Sequence, residues 1–192
     1  MSKKYKLGVV GNPIEHSLSP FIHSRFARNE GINLEYLPYK VSESDFVNFI
    51  KEFFEDPLSR GLNITLPFKK RAADIEGAIS NEAKFINAVN TVVKEKEKMS
   101  LFSTDGVGFI SDISANKKFN FKETSVLFIG AGAAAESILY KVAREEVSNI
   151  SIMNRTEANA ERLVRKVSNM THIDSFQNLK DSYDLIINCS SA

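Results

Sequence analysis

Hydrophobic and polar positions alternate along the first half of the chain in a way that predicts mixed α/β structure. Short apolar runs bounded by Gly, Pro or charged residues predict strands, at 7–10, 35–41, 61–66, 89–94 and 99–103. The last two runs flank a charged, solvated turn and predict a hairpin. Apolar residues at helical spacing, together with cap residues, predict helices at 19–29, 44–55, 81–86 and directly after Pro67.

The second half of the chain alternates more regularly. Apolar strands are predicted at 125–129, 150–153 and 185–188, and helices at 133–144 and 157–168. Strands that alternate with helices predict a parallel sheet with right-handed crossovers. Asp105-Gly106-Val107-Gly108, between the two halves, predicts a hinge. We therefore expect an α/β chain with one domain at 1–104 and a second, Rossmann-type domain at 105–192.

Composition narrows the class of protein. The chain has 192 residues, of which 43% are hydrophobic, so it can bury a core. Its 25 basic and 24 acidic residues give a net charge of +1, which argues against nucleic acid as a partner. The single cysteine excludes an internal disulfide, and the three histidines have no ligand partners at metal-site spacing. The first apolar run is too short for a signal peptide or a membrane span, so we expect a soluble cytoplasmic protein.

A glycine-rich turn follows the strand at 125–129. It reads Gly130-Ala131-Gly132-Ala133-Ala134-Ala135 and opens a helix, which is the G-x-G-x-x-A pattern of dinucleotide sites. The first glycine allows a tight turn, the second lets a pyrophosphate approach the backbone, and the small Ala135 lets helix and strand pack closely. The alternative is a purely structural glycine turn.

The end of the next strand bears on the cofactor. An acidic residue there would hold the ribose 2′-hydroxyl of NAD, but this strand ends in Asn154-Arg155-Thr156. Arginine binds phosphate through a planar, cationic group, so Arg155 favours the 2′-phosphate of NADP. Thr156 has the alternative role of capping the following helix. Glu157 is the nearest acid and argues slightly against NADP.

Asn63-Ile64-Thr65-Leu66-Pro67-Phe68-Lys69 places a lysine just after a strand and a proline. If a helix begins at Pro67, its positive N-terminus disfavours the Lys69 ammonium, and Lys70 and Arg71 add like charges. These surroundings favour a lysine that transfers protons. The alternative is a solvated surface lysine.

Ser17 and Ser19 stand two positions apart on an extended segment, so their hydroxyls face the same side. Both lie beside the predicted N-terminus of a helix, and such a pair suits a substrate carboxylate. The alternative is that Ser19 simply caps the helix, with Pro20 in its first turn.

Taken in order, these segments resemble the shikimate dehydrogenase family along essentially the whole chain. The matching segments are 11–20, 63–69, Ala88-Val89-Asn90-Thr91, Thr104-Asp105-Gly106-Val107-Gly108, the glycine turn, 154–156 and 184–188. The resemblance implies NADP-dependent reduction of 3-dehydroshikimate to shikimate, in aromatic amino acid and chorismate biosynthesis. It implies a small-molecule substrate, no nucleic acid, no membrane, and a monomer or homodimer.

The resemblance also implies roles for individual residues. Ser17 and Ser19 would hold the substrate carboxylate. Thr65, Asn90 and Asp105 would bind ring hydroxyls, and Lys69 and Asp105 would form the catalytic pair. The cofactor-binding positions would be Gly130, Ala131, Gly132, Ala133, Ala134, Ala135, Asn154, Arg155 and Thr156.

Some positions depart from the family pattern. Ser103 stands where asparagine is usual, Ala133 where glycine is common, and Cys189-Ser190-Ser191 where Ala-Thr-Ser is usual. Family members also continue beyond the strand at 185–188 with further strands and C-terminal helices, so we expect that this chain lacks the C-terminal part.

Three alternatives stay open. The chain could be a catalytically impaired module that binds shikimate or a nucleotide, or a quinate/shikimate dehydrogenase that uses NAD. The second half also resembles the nucleotide domain of glutamyl-tRNA reductases, but the first half lacks a candidate nucleophilic cysteine.

Overall fold

The structure is a computed structural model that describes residues 3–171, 173–174 and 179–190. The chain divides into two compact units, the first ending at Ser103 and the second beginning at Thr104. The expected boundary, after residue 104, lies beside this division. No helix among the described residues is long and apolar enough to cross a membrane.

The first unit contains six strands and three α-helices among its described residues. In chain order they are β1 (Tyr5–Gly11), α1 (Ser19–Asn29), β2 (Leu34–Lys40), α2 (Phe46–Glu55), β3 (Ser59–Ile64), β4 (Ala78–Ile79), α3 (Asn81–Ile86), β5 (Thr91–Glu95) and β6 (Lys98–Phe102). A short 3-10 helix, Arg71–Asp74, precedes β4.

The six strands form one sheet in the order β2-β1-β3-β5-β6-β4. β1 is parallel to β2 and β3, whereas β5 is antiparallel to β3 and to β6. The carboxyl ends of β1 and β3 and the beginning of β5 therefore meet at one edge of the sheet. The loops that leave β1 and β3, and the segment that enters β5, carry most of the predicted site residues.

α2 closes one face of this sheet because its apolar positions recur at helical spacing. Phe46, Ile50 and Phe54 are buried, and they belong to the same core cluster as Phe68. The rings of Phe46 and Phe68 stack with centroids 4.5 Å apart. Burying a phenylalanine side chain contributes about 1.5–3 kcal/mol. The turn after β3 is therefore anchored through Phe68.

The second unit is a parallel sheet with helical crossovers. It consists of α4 (Asp105–Asn116), β7 (Ser125–Ile129), α5 (Ala133–Val142), β8 (Asn149–Met153), α6 (Glu157–Val167), β9 (Ile173–Asp174) and β10 (Leu185–Asn188). The strand order is β10-β7-β8-β9, and every pair is parallel. The predicted Rossmann-type parallel sheet is thus confirmed.

A buried carboxylate joins two helices of this unit. The Glu136 side chain, 8% exposed, lies in the first turn of α5 and forms ion pairs with two cations of α6. Arg162 Nη1 lies 3.1 Å from Glu136 Oε2, and Lys166 Nζ binds the other oxygen. A buried carboxylate is tolerated when its charge is compensated in this way.

The helix predicted directly after Pro67 is wrong. Residues 66–70 form a turn, and the 3-10 helix follows it. The Lys69 carbonyl accepts the Val89 N–H at 2.8 Å, and the Ala73 N–H bonds the Lys70 carbonyl instead. In an α-helix the Ala73 N–H would instead donate a hydrogen bond to the Lys69 carbonyl, four residues earlier. The argument that a helix N-terminus acts on Lys69 therefore does not hold.

Two local predictions at helix starts are also wrong. Ser19 is the first residue of α1 and not its N-cap, which is Leu18 without a side-chain hydrogen bond. The predicted hinge at 105–108 is the first turn of α4. There the Gly106 N–H donates to Ser137 Oγ of α5 at 3.1 Å in a buried contact, so packing outweighs the low helix propensity of glycine.

Candidate active site

A cavity of about 300 Å³ lies in the first unit, at the sheet edge where β1 and β3 end. The cavity is lined by Val9, Pro13, Ile14, His16, Ser17, Ser19 and Thr65. Three of the predicted site residues, Ser17, Ser19 and Thr65, thus line one cavity. Its walls combine apolar groups with hydroxyls, which is the usual make-up of a small-molecule site.

Backbone hydrogen bonds hold the two cavity loops together. The Thr65 N–H donates to the Val10 carbonyl at 3.0 Å, and the Asn12 N–H donates to the Leu66 carbonyl at 2.9 Å. The loops approach so closely that a Cβ built at Gly11 would lie 2.4 Å from Thr65 Cγ2. The glycine at position 11 therefore sets the distance between the two serines and the threonine.

The two serines contact each other through the backbone of α1. The Ser19 N–H donates to Ser17 Oγ at 3.3 Å, and the Ser17 N–H donates to the Ile14 carbonyl at 3.0 Å. It is thus Ser17, and not Ser19, that accepts a backbone N–H at the start of the helix. Both side chains are half-buried.

Asn90 is held at the same edge of the sheet, one residue before β5. Its carbonyl accepts the Ile64 N–H at 2.8 Å, and its N–H donates to the Phe102 carbonyl at 3.0 Å. Asn90 is 9% exposed, and its side-chain oxygen accepts the Thr91 hydroxyl at 2.9 Å. The Asn90 backbone is therefore fixed by bonds to both sides, and its side-chain amide is held by the Thr91 hydroxyl.

Lys69 is half-buried and lies in the turn after β3. The bond from the Val89 N–H to the Lys69 carbonyl brings the lysine backbone beside the segment that carries Asn90. Phe68 anchors the preceding position in the core. Arg71 donates to the Glu43 carbonyl, so its guanidinium is held toward the start of α2.

Asp105 belongs to the second unit, where it is the exposed first residue of α4. The Ser137 hydroxyl binds the N–H of the next residue and so fixes the start of this helix. Since Lys69 and Asp105 lie in different units, their pairing stays a prediction.

The two glycines of the turn in the second unit have different surroundings. Gly130 has φ +103°, and a Cβ built there would lie 2.8–2.9 Å from the backbone of Cys189 and Ser190. A Cβ built at Gly132 would meet no atom within 4 Å. Gly132 is exposed at the N-terminus of α5, whereas Ala135 is fully buried. The first glycine therefore serves the fold, and the second leaves the helix N-terminus open to a ligand.

Asn154 links this turn to the end of β8. Its side-chain oxygen accepts the Ala131 N–H at 3.2 Å, and its amide donates to the Thr156 carbonyl at 2.8 Å. Arg155 is exposed beside it. Thr156 is the N-cap residue of α6, as the alternative predicted, although its side chain makes no cap hydrogen bond. An open glycine turn, a helix N-terminus and an exposed arginine together fit a phosphorylated dinucleotide.

Several residues near the cavity were not singled out from the sequence. His16 lines the cavity, and Tyr36, Asn63 and Thr91 form side-chain hydrogen bonds that lead to Asn90. The alternation of polar and apolar residues along β3 could have indicated Asn63 as a site residue. Asn63 stands between two apolar residues, and its side chain shares a face of the strand with that of Thr65. Among the described residues, no group of three or more His, Cys, Asp or Glu side chains could hold a metal ion.

Comparison with known families gives a consistent result for both units. Residues 9–92 match the model of the shikimate dehydrogenase substrate binding domain. Residues 113–192 match the shikimate / quinate 5-dehydrogenase model. One match thus lies in each unit.

Individual relatives agree with the family models. The chain is 36% identical to the shikimate dehydrogenase (NADP(+)) of Vesicomyosocius okutanii over 98% of its own length and 71% of that protein. The crystal structure of shikimate dehydrogenase from Aquifex aeolicus superposes with a TM-score of 0.87 at 29% identity, over 100% of this chain and 70% of that one. The Thermus thermophilus enzyme, solved in complex with NADP(H) and shikimate, has a TM-score of 0.85 at 26% identity, over 97% and 68%.

Proposed function

Because the chain belongs to the shikimate dehydrogenase family, we propose that it catalyses the reversible, NADPH-dependent reduction of 3-dehydroshikimate to shikimate. The observation that carries this proposal is the cavity of the first unit, lined by Ser17, Ser19 and Thr65, with Asn90 and Lys69 at the same sheet edge. A cavity of about 300 Å³ with convergent polar groups suits a small polyhydroxylated acid. In this proposal the first unit binds the substrate and the second binds NADP(H).

The polar groups suit the two ends of such a substrate. The Ser17 and Ser19 hydroxyls bind the carboxylate at the start of α1. Thr65 and Asn90 bind ring hydroxyls, and Asp105 adds a further contact from the second unit. Held in this way, the substrate has its reacting carbon oriented, which lowers the entropic part of the barrier.

Lys69 handles the proton of the reaction. The reduced carbonyl oxygen gains a proton, and an amine held at that oxygen donates it or polarises the carbonyl. The anchored turn around Phe68 and the backbone bond to Val89 keep Lys69 in a defined place. The family resemblance implies Asp105 of the second unit as the other member of the catalytic pair.

The glycine turn and the β8–α6 loop would hold the cofactor. NADP(H), when bound, supplies or accepts the hydride. Gly132, Ala133 and Ala134 are exposed at the start of α5, where backbone N–H groups would bind the pyrophosphate, and the exposed Arg155 would bind the 2′-phosphate. Asn154 fixes the turn through its bond to the Ala131 N–H.

The chain spans about 70% of the length of its relatives. Two alternatives are tested against the proposal: a module that binds shikimate or a nucleotide without turnover, and a dehydrogenase that uses NAD. A Listeria monocytogenes enzyme of 26% identity was solved with shikimate and NAD, which supports the use of NAD.

A single experiment separates the proposal from both alternatives. Purified chain is mixed with 3-dehydroshikimate and either NADPH or NADH, and absorbance of the reduced cofactor is followed. We expect NADPH to be oxidised with a kcat/KM at least ~10-fold higher than that for NADH. A tenfold ratio corresponds to about 1.4 kcal/mol, which one contact with the 2′-phosphate can supply. Shikimate binding without cofactor oxidation would favour the binding module, and equal efficiencies would remove the assigned role of Arg155.

A further inference from the structure

A line of side-chain hydrogen bonds runs across the first sheet from β2 to Asn90. The Tyr36 hydroxyl donates to Asn63 Oδ1 at 2.7 Å. The Asn63 amide donates to Thr91 Oγ1 at 3.3 Å, and the Thr91 hydroxyl donates to Asn90 Oδ1 at 2.9 Å. The line thus passes over β1 from Tyr36 of β2 to Asn63 of β3, and then through Thr91 of β5 to the proposed substrate-binding amide of Asn90.

The placement of the Asn63 and Asn90 amide atoms sets this direction. A tyrosine hydroxyl carries one proton, and Tyr36 uses it on the Asn63 carbonyl oxygen. Asn63 must then present its NH2 group to Thr91, whose single proton is left for Asn90. The Asn90 amide is therefore held with its oxygen toward Thr91, and its NH2 group is the end that can donate to a substrate oxygen.

Tyr36 lies directly beneath the cavity. It is 5% exposed and clusters with Val9 and Ile14, two apolar residues of the cavity wall. The Tyr36 ring also stacks on His23 of α1, with centroids 4.4 Å apart and an interplanar angle of 3°. These contacts fix the ring, so the position of the hydroxyl is set by packing.

The hydroxyl of Tyr36 stays protonated at neutral pH. Burial raises the pKa of Tyr36, and a side-chain hydrogen bond with Ser19 acts in the opposite direction. The phenol oxygen therefore contacts Ser19 as well as Asn63. Since a serine hydroxyl rotates about one bond, this contact leaves Ser19 able to turn toward a carboxylate.

We propose that Tyr36 is a positioning residue for substrate binding, whose hydroxyl proton, relayed through Asn63 and Thr91, orients the Asn90 amide as a donor to a substrate hydroxyl. This inference rests on the proposed function, because it takes shikimate as the ligand of the cavity. Without the Tyr36 proton, the Asn63 amide can turn over, Thr91 loses its fixed direction, and Asn90 presents oxygen and NH2 in turn. Part of the binding energy is then spent on ordering the amide.

The test uses Tyr36→Phe, which keeps the ring and its stacking on His23 but removes the proton. Tyr39→Phe is the matched control, because Tyr39 lies on the same strand and its ring packs instead against Phe49 and Phe53. Shikimate affinity is measured by calorimetry without cofactor, and kcat and KM are measured with NADP+. We expect Tyr36→Phe to weaken shikimate binding and raise its KM ~10-fold, with kcat and the KM for NADP+ changed less than ~2-fold.

A second variant separates this role from a general loss of structure. Thr91→Val breaks the same line at another link, so we expect a similar ~10-fold loss of affinity. Because both changes disconnect the same amide, the double variant should bind shikimate no more weakly than Thr91→Val alone. Independent structural damage would instead multiply the two losses to ~100-fold.

The outcomes are distinguishable. Wild-type shikimate affinity in Tyr36→Phe, or multiplied losses in the double variant, would overturn the positioning role while the proposed function stands. Equal weakening in Tyr39→Phe would also overturn it. If the wild-type chain binds no shikimate, the proposed function fails, and the positioning role fails with it.

Discussion

Lys69 illustrates how a single residue acquires its surroundings. Its place after β3 was evident from the sequence, but the helix expected around it is absent. The turn is instead set by the buried Phe68 ring and by the bond from the Val89 N–H to the Lys69 carbonyl. The proposed proton transfer therefore depends on tertiary contacts and not on a helix terminus.

We expect Lys69→Ala to lower kcat by ~10²–10⁴-fold, the usual contribution of a positioned general acid. The KM for shikimate should change little, because carboxylate and hydroxyl contacts come from other residues. The measurement is steady-state kinetics, with Lys70→Ala as the control at the exposed neighbouring position. Turnover close to wild type in Lys69→Ala would end its catalytic assignment.

At the scale of elements, the turn between β7 and α5 contains two glycines with separate duties. Gly130 has a positive φ and no room for a Cβ, whereas Gly132 has open space at the same point. The G-x-G-x-x-A pattern alone does not distinguish the roles of the two glycines. Only the backbone conformation and the approach of Cys189 distinguish them.

Substituting alanine at the two glycines should therefore give opposite results. Gly130→Ala should destabilise the second unit by ~1–3 kcal/mol, the cost of a strained backbone together with a close contact. Gly132→Ala should leave thermal stability unchanged but raise the KM for NADPH ~10-fold or more. A tenfold rise needs a loss of only ~1.4 kcal/mol of binding free energy. Melting curves and cofactor titrations check both, and equal melting temperatures for the two variants would contradict the assignment.

The contact between α5 and α6 depends on the charge of Glu136. Removing this carboxylate by Glu136→Ala leaves Arg162 and Lys166 facing each other without their partner, and we expect a loss of ~2–3 kcal/mol because partly exposed cations recover some hydration. Urea denaturation measures the loss. Arg165→Ala, which breaks an exposed pair with Glu161 on the same helix, should cost less than ~0.5 kcal/mol. Similar losses in both variants would contradict a special role for Glu136.

At the scale of the whole molecule, the proposed substrate groups other than Asp105 belong to the first unit, and the proposed cofactor groups belong to the second. Ligand binding should therefore be separable by mutation. In thermal-shift measurements, each ligand at about 100 times its Kd should stabilise the wild-type chain by ~2.7 kcal/mol. Gly132→Ala should need more NADPH for the same shift but respond normally to shikimate, and Tyr36→Phe should show the reverse. A variant that lost both responses would contradict this separation.

Much of the fold could be predicted from the sequence because its signals are local. The limits of β7 and β10 and of α3 were predicted as they stand, and most other predicted elements differ by a few residues at their ends, whereas α4, β4 and β9 were not predicted. The errors at 66–70 and 105–108 have one cause. In both places a contact with a distant residue, Val89 or Ser137, decides the backbone against the local preference.

The sequence by itself determined the alternation of strands and helices, the glycine turn and the set of polar residues that resembles the family, because these depend on spacing and on residue type. Only the tertiary structure decided which of those residues share a cavity. It also decided how Tyr36 reaches Asn63, 27 residues away, and how Asn63 reaches Thr91, 28 residues further. The physical reason is that strand order and register, which no single segment contains, set which side chains exchange hydrogen bonds.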